Sequence, residues 1–224
     1  MGGGFSCLPE NIPNIKARSF YESITKVSAL LPENVIQSKQ YKTFNRVVYD
    51  HLKRTPEEKE EFGVVITGNG VGPLFIEHFV FRLGFPLSLT KLSLRKCSLN
   101  SSHAPYVAQF LRSIKSLTQF DCGENDFGDN SYLIIEAAIN HPSLTSLQLE
   151  DCNITDTSID AILSIFKYSR KFRSLCLAPT RLSPSNQNKI YAQLKVNKYL
   201  TNVSFNPQID EVGKTVTAKN IFIN

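Results

Sequence analysis

Leu89-Thr90-Lys91-Leu92-Ser93-Leu94-Arg95-Lys96-Cys97-Ser98-Leu99 places apolar or sulfur-bearing residues at Leu89, Leu92, Leu94, Cys97 and Leu99. Leu92 and Leu94 flank one polar residue, the alternation of a strand with one buried face. The same columns return 28 residues later at Leu117, Phe120, Cys122, Asn125 and Phe127, and 27 after that at Leu144, Leu147, Leu149, Cys152 and Ile154. A further 28 reaches Phe172, Leu175, Leu177, Thr180 and Leu182, and 28 more reaches Leu200, Val203 and Phe205, where the pattern frays. Stepping back 28 from the first unit gives Val64, Ile66, Asn69 and Val71. Columns held in register over six copies predict an array of stacked repeats.

The chemistry of the columns follows from stacking. One unit cannot bury its own apolar face, so neighbouring units must supply the core. The Asn or Cys of the column lies where the chain leaves the strand. Its side chain is expected to turn inward and satisfy backbone groups that would otherwise be buried unpaired. Between strands the spacing turns helical: Val107, Phe110, Leu111 and Ile114 within 104–114; Leu133 to Ile135 within 132–139; Ile162, Leu163 and Phe166 within 159–166; Ile190, Tyr191 and Leu194 within 188–194. Strand–turn–helix units of this length, with Cys97 and Cys152 in an Asn/Cys column, resemble the ribonuclease-inhibitor type of leucine-rich repeat over residues 61–210. The resemblance implies an α/β solenoid with parallel strands on the concave side and helices on the convex side. It also implies protein recognition without catalysis.

Residues 8–60 lie outside the ladder and are expected to form an α-helical N-terminal cap. A helix is predicted over 16–30 and a second over 35–52, separated by Leu31-Pro32-Glu33-Asn34; Thr55-Pro56 opens a short third one. Leu31-Pro32-Glu33 ahead of a repeat ladder is also similar to an F-box, but the spaced apolar series and terminal tryptophan of that motif are absent. Residues 211–224 are expected to cap the other end, with Val216 or Ile221 to Ile223 over the last core layer. Residues 1–7, Met1-Gly2-Gly3-Gly4-Phe5-Ser6-Cys7, fit the N-myristoylation pattern, with the Cys7 thiol beside it as a second acylation site. Gly2 and Cys7 would be the lipidated residues, or the start is simply a glycine-rich segment.

Bulk properties narrow the function classes. Of 224 residues, 42% are hydrophobic and 20% charged, enough to bury a core. No run approaches the roughly 18 apolar residues of a spanning helix, and no secretory leader is apparent. The net charge of +5 is mild and locally cancelled, as where Glu57 and Glu58 follow Lys53 and Arg54. No nucleic-acid partner is expected on that balance. Five cysteines without CxxC spacing argue against a disulfide framework or a zinc site and point to a reducing compartment. Val64 to Gly72 mimics a phosphate loop but lacks its lysine and falls on the repeat columns. His51, His78, His103 and His141 do not converge with a nucleophile. No catalysis, cofactor or metal is therefore expected.

The expected binding surface is the concave face. Its central outward column reads Val65, Ser93, Asp121, Gln148, Cys176 and Ser204, with Gly63, Lys91, Gln119, Ser146, Ser174 and Asn202 before it and Thr67, Arg95, Gly123, Glu150, Ala178 and Asn206 after it. Lys91, Ser93, Arg95, Gln119, Asp121, Gln148, Glu150 and Cys176 are the candidate protein-binding residues. Lys91, Arg95 and Lys96 adjoin Asp121, Glu124, Glu150 and Asp151; these charges either pair across strands or await a partner. The chain is expected to be a monomeric cytoplasmic adaptor for an unidentified protein, at a membrane only if acylated. Its Asn-, Ser-, Lys- and Ile-rich composition resembles that of AT-rich genomes, so an effector delivered by an intracellular bacterium into host cytosol is one expectation and a protist scaffold another.

Overall fold

The computed structural model describes residues 33–37, 39, 42, 46, 62–65, 89–205, 208–209 and 215–216. A short helix α1, Glu33–Ile36, comes first, closed by a 2.8 Å bond from Gln37 Nε2 to Glu33 Oε1. Ile36 packs against the buried core of the ladder. The strands are β1 (Phe62–Val65), β2 (Leu89–Ser93), β3 (Gln119–Asp121), β4 (Ser146–Gln148), β5 (Ser174–Cys176) and β6 (Asn202–Ser204). Helices α2 (Ala104–Ser113), α3 (Ser131–Ile139), α4 (Ile159–Tyr168) and α5 (Pro184–Leu194) separate the last five strands. The six strands form one sheet in sequence order, and every neighbouring pair is parallel. A two-stranded antiparallel pair, β7 (Gln208–Ile209) and β8 (Thr215–Val216), follows.

The apolar columns are the core. Leu92, Leu94, Leu117, Phe120, Leu144, Leu147, Leu149, Phe172, Leu175 and Leu177 are all buried, while Val203 and Phe205 at the frayed end are half-buried. Strand register follows the repeat: Ser93 faces Asp121, Asp121 faces Gln148, Gln148 faces Cys176 and Cys176 faces Ser204. Pairing shifts once, between Phe62 and Gly63 on β1.

The turn column behaves as its chemistry requires. Asn125 is buried, and its Oδ1 accepts from the N–H groups of Cys97 and Leu99, both at 3.0 Å. Its Nδ2 donates to the carbonyls of Leu94 (2.9 Å), Cys122 (2.8 Å) and Gly123 (3.0 Å). One unit later the Cys152 thiol reaches the carbonyls of Cys122 (3.3 Å) and Glu150 (3.5 Å). Burial pushes that thiol up to about 12, so it remains a neutral donor. The chain bends out of β2, β3 and β4 through a left-handed residue, Lys96, Glu124 or Asp151, at φ of 53–56°. Ladder bonds continue across these turns: Lys96 N–H donates to Gly123 O at 3.0 Å and Glu124 N–H to Glu150 O at 2.7 Å.

A second polar column pins the loops that lead into the strands. His141 Nδ1 accepts from the N–H groups of Ser143 (3.2 Å) and Leu144 (3.0 Å), which puts the ring proton on Nε2, 2.7 Å from Ile114 O. Two units on, Asn197 Oδ1 accepts from Tyr199 and Leu200, both at 2.9 Å, and its Nδ2 donates to Phe166 O at 3.0 Å. An imidazole and an amide thus do one task.

Helices α2 and α4 start where the sequence reading put them, α3 starts one residue earlier and α5 four residues earlier. Short 3-10 turns, Ser101–His103, Gly128–Asn130 and Asp156–Ser158, lead into α2, α3 and α4. Helix α5 begins at Pro184 rather than at residue 188, because proline suits the first turn, where its missing N–H is not needed. The acylation motif with Gly2 and Cys7, most of the 8–60 cap including Leu31 and Pro32 of the F-box-like stretch, Ile66, Asn69 and Val71 of the first unit, His51 and His78, and 211–224 except Thr215–Val216 lie outside the described residues.

Candidate functional site

The outward columns of β2, β3 and β4 converge on one guanidinium. Arg95 leaves the end of β2 and lies across the next strand's turn, where Gly123 has no side chain to block it. A Cβ on Gly123 would stand 2.9 Å from Arg95 Nη2 and 3.0 Å from Cζ. The glycine at this column position therefore opens the path to the third strand. Arg95 Nε donates to Asp121 Oδ2 at 3.1 Å, Nη1 to Glu124 Oε1 at 2.9 Å, and Nη2 to Glu150 Oε2.

Asp121 anchors the knot. Its Oδ2 also accepts from Ser93 Oγ at 3.1 Å, and its Oδ1 accepts from Gly123 N–H at 3.0 Å. Lys96 adds a loose 4.0 Å contact to Glu124. The Arg95 side chain is only 27% exposed. Burial works to lower its pKa, and the bonds to Glu150, Glu124 and Asp121 more than offset that, so the group is held charged above its ordinary value. Of the opposite charges read from the sequence, Arg95 thus pairs with Asp121, Glu124 and Glu150 across three strands.

Of the residues expected here, Ser93, Arg95, Asp121 and Glu150 are brought into this one network. Lys91 and Gln119 face each other one position earlier in the ladder, and Gln148 sits beside Asp121. Cys176 holds its expected register position but is only 7% exposed, which corrects its reading as a contact residue. Burial first, and the charge of Glu150 next, raise its thiol pKa, the opposite of what a nucleophile needs. His103 and His141 are also buried, each accepting backbone N–H bonds at Nδ1.

The sequence reading missed how charge is sorted along the ladder. Residues 116–166 hold nine carboxylates and no lysine or arginine, whereas residues 167–205 hold eight lysines and arginines and no carboxylate. Tallying charge by repeat, rather than along the whole chain, exposes this at once.

No family model matches the chain. It is 30% identical over 92 residues to the ribonuclease inhibitor of Mus musculus, covering 40% of this chain and 20% of that protein. Over 92 residues it is 33% identical to NACHT, LRR and PYD domains-containing protein 14 of Homo sapiens, which is 40% of this chain and 8% of that one. The chain therefore spans a fifth or less of the length of these relatives. Among solved structures, leiomodin-1 actin-binding site 2 superposes with a TM-score of 0.46 at 16% identity, over 58% of this chain and 76% of that one. A parallel six-stranded ladder with an Asn/Cys turn column is a leucine-rich-repeat solenoid, and its repeats are similar in sequence to those of ribonuclease inhibitors.

Proposed function

We propose that the chain is a noncatalytic protein-recognition module and that it presents its strand face, centred on Arg95, to a protein partner. The observation that carries this is the Arg95 knot, which ties side chains of three consecutive strands into one fixed polar surface. Side chains already held in place lose little rotamer freedom on binding, and preorganisation of this kind favours affinity. The Glu124 and Glu150 side chains stay 40% and 34% exposed beside an exposed Asp151, so a partner with basic and hydrogen-bond-donating groups fits the knot best.

Charge reversal tests the site. Arg95→Glu and Glu150→Lys, each made separately, should abolish capture of a cross-linked partner that the parent chain retains. Unchanged capture by both variants would exclude the strand face.

A second reading, a lipid-anchored scaffold, rests on Met1-Gly2-Gly3-Gly4-Phe5-Ser6-Cys7. Co-expression with N-myristoyltransferase and a myristate analogue should label the parent chain and not Gly2→Ala. The cytosolic setting that both readings need, and the finer role of an effector in a host cell, rest on the free cysteines and the composition alone.

A further inference from the structure

Six of the eight cations in the acid-free stretch lie at one rim of the ladder. They are Lys167 in the last turn of α4, and Arg170, Lys171, Arg173, Lys195 and Lys198 in the segments that lead from α4 into β5 and from α5 into β6. The two segments are direct neighbours: Ser174 pairs with Asn202, and the N–H groups of Thr201 and Asn202 both donate to Arg173 O at 2.9 Å. Among the described residues, none of the six forms an ion pair with a carboxylate.

The same rim gathers the exposed large hydrophobics of the described residues. Tyr168 is 65% exposed, Val196 68% and Tyr199 40%. Tyr168 and Val196 occupy the same position in consecutive units. Lys167 Nζ sits 5.0 Å from the centre of the Tyr168 ring.

Part of this has an ordinary cause. Lys167 and Lys195 stand at the C-terminal ends of α4 and α5, where the helix dipole favours a cation. Arg173 Nη1 is occupied by the carbonyls of Arg170 and Phe172, at 2.8 and 3.1 Å. Neither cause explains Arg170, Lys171 and Lys198, nor an exposed valine at the centre of the cluster.

We propose that this rim docks onto an anionic lipid bilayer, its lysines and arginines meeting headgroup charges while Val196, Tyr168 and Tyr199 enter the headgroup–acyl boundary. Clusters of four to eight basic residues beside amphipathic aromatics have the chemistry of such a surface. A single-stranded nucleic acid fits less well. Base stacking needs open ring faces, Lys167 already lies over Tyr168, and Val196 can neither stack nor form hydrogen bonds. On the lipid-anchored reading above, on which this choice of occupant rests, an acidic protein segment is disfavoured by the acylation pattern at Gly2 and Cys7. One acyl chain holds a protein only marginally, and a polybasic patch is a sufficient second signal. Charge also orients the ladder: Glu124, Asp126, Asp151 and Asp156 follow the strands at the opposite rim, away from a membrane touched by the basic one.

The full chain, made in cells without N-myristoyltransferase, is sedimented with phosphatidylcholine vesicles with and without about a third phosphatidylserine. Binding is expected only with phosphatidylserine and should be released at about 0.5 M salt. At roughly fivefold per surface charge, Lys195→Gln with Lys198→Gln should weaken binding by about twentyfold or more. Arg181→Gln with Lys189→Gln, which removes equal charge elsewhere in the same repeats, should change it by less than about twofold. Val196→Ser should weaken binding while leaving its salt dependence intact. Equal binding to neutral vesicles, equal effects of the two double variants, or tighter rim-dependent capture of single-stranded RNA or polyglutamate would each overturn the proposal. The lipid and salt arms use the parent chain and do not depend on any variant folding.

Discussion

Asn125 and Arg95 are both stitches between repeats, and both bond to neighbouring units through several groups. Asn125 is buried and serves five backbone groups; Arg95 is a quarter exposed and serves three carboxylates. Their bond lists look alike, but their energetics do not. When a buried acceptor is removed, the backbone N–H groups it served have no water to turn to, and each costs about 1–3 kcal/mol. When the guanidinium is removed, water reaches the carboxylates, and exposed pairs of this kind contribute about 1 kcal/mol or less. Interior polar side chains therefore build the ladder, while those on the sheet face only shape its surface.

The comparison can be broken most forcefully at Asn125. Asn125→Ala strands the N–H groups of Cys97 and Leu99 and should lower the unfolding free energy by about 3–5 kcal/mol in urea titration. A loss below about 1 kcal/mol would show that the turn finds other partners and would erase the contrast.

His141 sharpens the buried side of the comparison, because its bonds titrate. His141→Ala should cost about 2–3 kcal/mol by leaving two loop N–H groups unpaired. In the parent, burial first, with nearby Lys171 and Lys115 adding to it, lowers the imidazole pKa below 6.5, against the opposing bond to Ile114 O. The unfolded chain then binds more protons than the folded one as pH falls through the ordinary histidine range. Stability is therefore full above about pH 6.5 and lost on further acidification. His141→Asn, which copies the neutral amide of Asn197, should remove that slope. Melting curves recorded from pH 7.5 downward would contradict this if the slope survived the substitution.

On the surface side, Arg95→Met should cost only about 1 kcal/mol at low salt, and about 0.5 M salt should shrink the difference by screening the three carboxylates left facing one another. A salt-independent loss several times larger would place Arg95 with the interior stitches. The smallest effect is expected at Gly123→Ala. The backbone there does not require glycine, and the new methyl meets only the far end of a flexible side chain. Stability should fall by about 0.5 kcal/mol or less, while Arg95 swings away from Glu150. A double-mutant cycle with Glu150→Gln reads that lost coupling directly.

Much of this was legible in advance because the repeat imposes a hard constraint. A 27- or 28-residue period with fixed apolar columns specifies strand register, so the facing pairs from Val65 to Ser204 follow from alignment alone. The Asn/Cys column was readable for the same reason: a chain leaving a buried strand needs an internal hydrogen-bond partner. The helix start at Pro184 was less visible, since apolar spacing marks only the buried face and the first turn of α5 is largely polar and exposed. Cys176 was misread because outward orientation on a strand does not measure how closely neighbouring side chains cover it.

The sequence by itself determined the ladder, the strand order and the Asn/Cys stitches of the turn column, because each is enforced by burial repeated at a fixed spacing. Only the tertiary structure decided which charges meet. Arg95 and Glu150 are 55 residues apart, and nothing local pairs them; two stacked repeats and a missing side chain at Gly123 do. The basic rim has the same origin. Its residues alternate with buried ones along the chain and become one surface only when parallel pairing sets the segment before β5 against the segment before β6.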